Sequence, residues 1–277
     1  MRRETNPAMR AIALAISALI MLMVAGFASA DFLHDTNWPD APTAAPLQSA
    51  QPSQARTVRQ VLASYGPKIS PDWQQQFQEL GLAYPPTNLT LIGLKAERRL
   101  EVWTRTQSGT QFLRSFEVLD ASGLPGPKRR RGDHQVPEGI YRVDAFNPNS
   151  RFHLSMRINY PNEFDRMMGR HDGRYDLGDN IFIHGSDYSE GCLAIGDPAI
   201  ESLFVLAAKV PEESIDVILS PYDGRRQPLV APRGLPDWVG DLYLDIEQAL
   251  AEFQKTEPAR PSLIADQTAP WAGPTAP

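Results

Sequence analysis

The chain has a single cysteine, Cys192, and the residues around it are the ones best suited to chemistry. In the stretch IFIHGSDYSEGCLAIGD, from Ile181 to Asp197, His184 lies upstream of that cysteine, Gly185 follows the histidine and Gly191 precedes the thiol. Cysteine attacks a carbonyl as its thiolate, so it needs a nearby base or a positive field. His184, brought back across a short loop, can take the thiol proton, and a helix expected just after Cys192 would add a favourable field. Gly185 leaves the backbone beside the imidazole uncovered, so a main-chain carbonyl can accept its other proton and fix the tautomer without a third acidic partner. Gly191 permits a sharp turn into Cys192, and the backbone N–H groups of the loop from Ser189 to Cys192 can hold a developing oxyanion. The plainer alternative is that Cys192 is a small apolar core residue, as most free cysteines are, and that each glycine serves a turn.

Residues with these duties need a rigid frame. The segment NLTLIGLKAERRLEVWTRTQSGTQFLRSFEVL has three apolar runs separated by turn-like or charged breaks, a pattern of a strand meander. VPEGIYRVDAF, SRFHLSMRIN, DNIFIHG and SIDVILSPY read as further strands. DPAIESLFVLAAKV places Ile200, Leu203, Phe204, Leu206 and Ala207 on one helical face, with Pro198 near its start. TVRQVLASYG and PDWQQQFQELGL predict two short helices, Pro71 opening the second, and PDWVGDLYLDIEQALAEFQKT predicts an amphipathic helix. The basic run Lys128 to Arg131 reads as a solvated loop, and MMGRHDGRYDLGD as a mobile Gly/Asp-rich loop able to cover a site. The fold class expected is mainly β with flanking helices, α+β overall.

A formal net charge of -6 argues against general affinity for nucleic acid, which depends on many Lys and Arg contacts. Arg2, Arg3 and Arg10 precede the apolar run AIALAISALIMLMVAGF, which ends in Ala28-Ser29-Ala30, so residues 1–30 read as an export signal cleaved after Ala30, or else as an uncleaved membrane tether. The remaining organisation expected is an unstructured linker over 31–56, a short helical segment over 57–87, a catalytic domain over 88–222, an extension with one helix over 223–255 and a Pro/Ala-rich tail over 256–277. In an oxidising compartment a lone thiol cannot form a disulfide within the chain, which leaves burial or reactivity as its reason.

The pattern H-G followed by S-x-G-C, here His184, Gly185, Ser189, Gly191 and Cys192, resembles the active-site motif of the L,D-transpeptidase catalytic domain family. Within it the chain is similar to a Gram-negative branch with a short His-to-Cys loop, VPEGIY and NPNSRFHLSMRINYPN resembling the stretches that precede the motif there. The resemblance covers about Asn88 to Tyr222 and implies a β-sandwich-like fold. It also implies a periplasmic enzyme without a cofactor, whose Cys192 forms a thioester with diaminopimelate-containing peptidoglycan stem peptides and is open to carbapenem acylation. An amine acceptor then gives transpeptidation; water gives hydrolysis, and the branch includes amidases that release a wall-bound lipoprotein from diaminopimelate. The chain departs from many members in having Ala194 where they have arginine, and in having Glu190.

Three residues, His153, Arg157 and Tyr160, are candidates to line a substrate channel, His153 within the expected strand FHLSMRI. His153, His171 and His184 define a rival reading as a metal-dependent peptidase, although no H-E-x-x-H spacing is present and no metal is expected. A third reading is a noncatalytic wall-binding protein that keeps the fold without the reaction.

Overall fold

The computed structural model describes residues 55–254. The expected signal or tether, nearly all of the linker and the Pro/Ala-rich tail lie outside the described residues. No helix among the described residues is long and apolar enough to cross a membrane.

Helix α1 (Val58–Glu79) opens on a capping box between Thr57 and Gln60 and runs without a break through Pro67 and Pro71. The expectation of two helices fails because both prolines lie on the exposed side, where the carbonyls they orphan meet water. The opposite side buries Val61, Trp73 and Phe77 in the main core, and the Trp73 indole donates to the Ser202 carbonyl at 3.0 Å.

The meander follows as β1 (Leu89–Leu94), β2 (Arg99–Thr106) and β3 (Gly109–Glu117), then β4 (Gly139–Asn147) and β5 (Ser155–Ile158). After helix α2 (Glu163–His171) come β6 (Phe182–His184), β7 (Leu193–Ala194), helix α3 (Asp197–Ala207), β8 (Ile215–Ser220) and helix α4 (Trp238–Ala251). The eight strands form one curled sheet in the order β3-β2-β1-β8-β4-β5-β6-β7, mainly β with α-helices against it. β4 joins its two halves: Gly139–Arg142 pair with β8, and after an irregularity between Val143 and Ala145 the strand pairs with β5.

Both faces of the sheet centre are covered, which is why LTLIGL is buried throughout rather than alternating. Leu91, Val102 and Val217 face the core built with α1 and α3; Ile92, Leu94, Trp103 and Ile218 face α4 through Val239, Ile246 and Leu250. Two buried carboxylates are each fully paired, as burial of charge demands. Glu101 meets Arg225 at 2.9 Å and the Trp103 indole at 3.0 Å; Glu138 meets Lys95 at 2.9 Å and the Tyr243 hydroxyl at 2.6 Å. Lys95 also donates to the carbonyls of Leu124 and Val136, fixing the long β3–β4 connection that reaches the Cys192 loop.

Two expectations need correction. The run Lys128 to Arg131 is solvated only in its second half: Arg130 and Arg131 are exposed, Arg131 pairing with Asp176 and Asp179, but Lys128 is buried against Asp133 and Arg129 pairs with Asp172 at 3.1 Å. The Gly/Asp-rich stretch receives those pairs and is tied down in turn. Its first part is α2, opened by a capping box between Asn162 and Asp165, and the Trp238 indole donates to Asp172. The partners of Arg129, Arg131 and Trp238 lie tens of residues away, outside the reach of any local pattern.

Candidate active site

β6 and β7 run parallel, with Ile183 beside Leu193 and His184 beside Ala194. One step back along the ladder, Phe182 faces Cys192, and the Phe182 N–H points at the sulfur at 3.4 Å. Side chains two apart on a strand share a face, so His184 and Cys192 project to the same side of the ladder, with α-carbons about 8 Å apart from ideal strand spacings. Both line a cleft of about 470 Å³ together with Asn147, Arg151, Phe152 and Asn180.

The imidazole is held on two sides. Its Nδ1 lies 2.5 Å from the carbonyl oxygen of Gly185, and its ring stacks on Phe152 at 4.6 Å between centroids with 25° between planes. With Nδ1 donating its proton to that carbonyl, Nε2 is left as the unprotonated acceptor. Gly185 is where it is for want of space: a Cβ would overlap Asp197 Oδ1 and stand 2.8 Å from the Phe152 carbonyl oxygen. Asp197, the first residue of α3, accepts the Ser186 N–H at 2.7 Å and so fixes the turn after the histidine.

The cysteine loop is closed by hydroxyls. Ser189 Oγ accepts the Cys192 N–H at 2.9 Å and donates to the Cys192 carbonyl at 2.7 Å. Ser122 Oγ accepts the Gly191 N–H at 2.6 Å, and Asp120 accepts the Ser189 N–H at 2.8 Å. Gly191 takes φ +96°, the left-handed backbone that only glycine adopts at little cost. The N–H groups of Ser189, Gly191 and Cys192, read from the sequence as able to hold an oxyanion, are therefore bonded to Asp120, Ser122 and Ser189.

Burial lowers the His184 pKa below its ordinary 6.5, against the opposing hydrogen bond to Gly185 and the charge of Asp120. Burial raises the Cys192 thiol, against the Phe182 N–H and the Lys128 charge. Both shifts favour the uncharged forms, thiol and neutral imidazole. The helix begins at Asp197, as the segment DPAIESLFVLAAKV predicts, but it does not directly follow Cys192, because Leu193 and Ala194 extend into the β6 ladder and are buried there. The helical field therefore falls on the Ser186–Asp197 turn rather than on the sulfur.

Three sequence candidates lie elsewhere. His153 is outside the strand, at φ +72°, with Nε2 2.7 Å from Glu201 of α3. Arg157 projects from β5 to pair with Asp144 at 2.8 Å, and Tyr160 is buried with its hydroxyl donating to the Leu177 carbonyl at 2.9 Å. None of the three lines the cleft of Cys192. With His153 on Glu201 and His171 on Asp172, the three histidines of the metal reading are separately engaged, and no group of three His, Cys, Asp or Glu among the described residues is arranged to hold a metal. Asp120, Ser122 and Phe152 were not legible as site residues. Phe152 sits inside the NPNSRFHLSMRINYPN resemblance, the one signal that pointed toward it, whereas Asp120 and Ser122 are far from the motif in sequence.

Residues 91–215 match the family model described as L,D-transpeptidase catalytic domain. That stretch is similar to the L,D-transpeptidase catalytic domain. The chain is 35% identical over 133 residues to the protein YafK of Escherichia coli K12, itself named for the L,D-transpeptidases, and equally to YafK of strain O157:H7. The match covers 46% of this chain and 52% of YafK, so the chain spans about half the length of the curated relatives it matches. Among solved structures, the helical cell shape determining protein Pgp2 of Campylobacter jejuni is similar with a TM-score of 0.41 and 22% identity, covering 50% of each chain. Bd1075 of Bdellovibrio bacteriovorus gives 0.39 and 19%, covering 61% of this chain and 58% of that one. Within the matched stretch, His184 ends β6, and Gly185, Ser189, Gly191 and Cys192 lie in the loop that leads to β7.

Proposed function

We propose that the protein is an exported cysteine acyl-transfer enzyme of the cell envelope that acts on diaminopimelate-containing stem peptides of peptidoglycan. The observation that carries this reading is the Nδ1 contact of His184 with the Gly185 carbonyl, which leaves Nε2 as acceptor in the cleft that holds the Cys192 sulfur.

As Cys192 Sγ bonds to the carbonyl carbon at the L-centre of diaminopimelate, His184 Nε2 takes the thiol proton and the carbonyl oxygen takes the negative charge. The incoming oxygen is stabilised by replacing Ser122 Oγ at the Gly191 N–H. Collapse re-forms the carbonyl and breaks the C–N bond, and the imidazolium returns its proton to the departing amine, either D-alanine or a lysine of a wall-bound lipoprotein. A thioester on Cys192 remains. An amine then attacks it to form a crosslink, His184 again taking a proton, and the thiol is regenerated; water in place of the amine gives a free carboxylate. Carbapenems acylate the same sulfur. The expected N-terminal signal or tether delivers the domain to the periplasm.

Mass spectrometry of muropeptides incubated with the full chain and with Cys192→Ala tests this reading. Crosslinked products that need Cys192 establish transpeptidation. Free tripeptide stems with released lipoprotein fragments make the enzyme an amidase of the same chemistry, and no Cys192-dependent product overturns the proposal in favour of a wall-binding protein.

A further inference from the structure

Two charged side chains line the Cys192 cleft and take no part in the steps above. Arg151 stands on the β4–β5 turn with its guanidinium carbon 5.1 Å from the centre of the Phe152 ring, and it makes no ion pair among the described residues. Glu190 stands on the cysteine loop, accepts the Tyr188 hydroxyl, and likewise has no cationic partner among the described residues. Opposite charges that share one cleft without pairing leave between them a space for a ligand carrying both signs.

The turn that carries Arg151 is pinned on both flanks. Asn149 exchanges two 2.7 Å hydrogen bonds with the backbone of Arg56, whose guanidinium also donates to the Pro148 carbonyl at 2.7 Å. On the other flank His153 is tied to Glu201 at 2.7 Å and packs edge-on against Tyr65 at 5.9 Å. Phe152, next to Arg151, stacks on the His184 imidazole. The cation is therefore mounted one residue from the ring that touches the base. His153, which does not reach the cleft, acts as an anchor of that mount.

We propose that Arg151 and Glu190 form a specificity pair, Arg151 holding a carboxylate and Glu190 an ammonium of an amino-acid group that the bound acyl donor presents beside the carbonyl under attack. This rests on the reading of Cys192 as nucleophile. A guanidinium suits the carboxylate because its planar fork can meet both oxygens, and the carboxylate of Glu190 suits a compact ammonium. A donor that lacks either charge leaves one of the pair facing an uncharged group and is disfavoured.

The test separates this proposal from the turnover chemistry. Cys192 is alkylated in the full chain with iodoacetate, which carries a carboxylate, and with iodoacetamide, which does not. Both consume the same thiolate, so the ratio of the two rates cancels any change in thiol ionisation. Arg151→Gln is expected to lower the iodoacetate-to-iodoacetamide ratio about threefold to fivefold at low salt, the size of an exposed ion pair. Arg151→Lys keeps most of the preference, and Glu190→Gln raises the ratio. With stem-peptide donors, Arg151→Gln raises KM for the free carboxylate form and leaves KM for its carboxamide unchanged. A ratio that stays the same in Arg151→Gln, or a KM that rises equally for both donors, overturns the proposal. If wild type turns over neither donor, the acyl-transfer reading fails and the donor role of the pair falls with it, whereas unshifted ratios with turnover intact overturn the specificity pair alone.

Discussion

His184 Nδ1 sits 2.5 Å from the carbonyl oxygen of the next residue, Gly185, so the imidazole is oriented by its own main chain. Its pKa lies below 6.5. The neutral form is the base, so kcat/KM for Cys192-dependent turnover should be flat near pH 7 to 8 and fall as pH drops below about 6.5. His184→Gln should reduce turnover by roughly 10²- to 10⁴-fold and remove that acid limb. A pH–rate profile of the two proteins checks this; an intact acid limb in the variant would assign the titration to another group.

Gly185 has no room for a methyl group. Gly185→Ala places a Cβ against Asp197 Oδ1 and the Phe152 carbonyl, on both sides of the turn that fixes the imidazole. Overpacking of this kind costs about 1–3 kcal/mol, and urea denaturation should show a loss in that range together with reduced turnover.

Ser189 closes the cysteine loop with both faces of its hydroxyl, toward the Cys192 N–H and the Cys192 carbonyl. Ser189→Ala leaves those groups without their partner at a buried position, at a cost of about 1–3 kcal/mol. Ser189→Thr retains the hydroxyl and should keep most of the stability. Thermal unfolding of both variants distinguishes loss of the hydroxyl from a change in side-chain volume.

Acid stability should depend on Asp172. Burial pushes its carboxyl up, but hydrogen bonds from His171, Arg174, Trp238 and Arg129 outweigh this and hold it at about 2. A folded pKa below the unfolded one, near 3.8, means that its contribution is complete above about pH 4 and is lost as pH falls toward 2. Asp172→Asn should therefore be less stable than wild type at pH 7 and converge with it near pH 2. Urea midpoints measured across that range decide the matter; a difference that persists undiminished at pH 2 would locate the effect in packing instead.

Local patterns made much of the frame legible. The three apolar runs from Asn88 to Leu119 are β1 to β3, and the helical face of Ile200, Leu203 and Phe204 is buried as α3. Period and turn residues are properties of neighbouring positions, so a sequence displays them directly. Pro71 misled because a helix break depends on which side the proline faces, and the packing of Trp73 and Phe77 decides that. The extent of the strand at SRFHLSMRIN also misled: pairing with His184 begins only at Ser155, leaving His153 in a turn.

The sequence by itself displayed the H-G and S-x-G-C motif, with a lone thiol eight residues after a histidine, and the strand-and-helix frame around them. Those are contained in residue type and short spacing. Tertiary structure alone decided that Ser122 and Ser189 bond the N–H groups of Gly191 and Cys192, that Phe152 stacks on His184, and that Arg157 and Tyr160 turn away from the cleft. It also decided that Arg151 and Glu190 face one cavity with no ion pair among the described residues. The physical reason is range. Each of these contacts follows from how strands β4 to β7 and the β3–β4 connection pack around the motif, which no local spacing encodes.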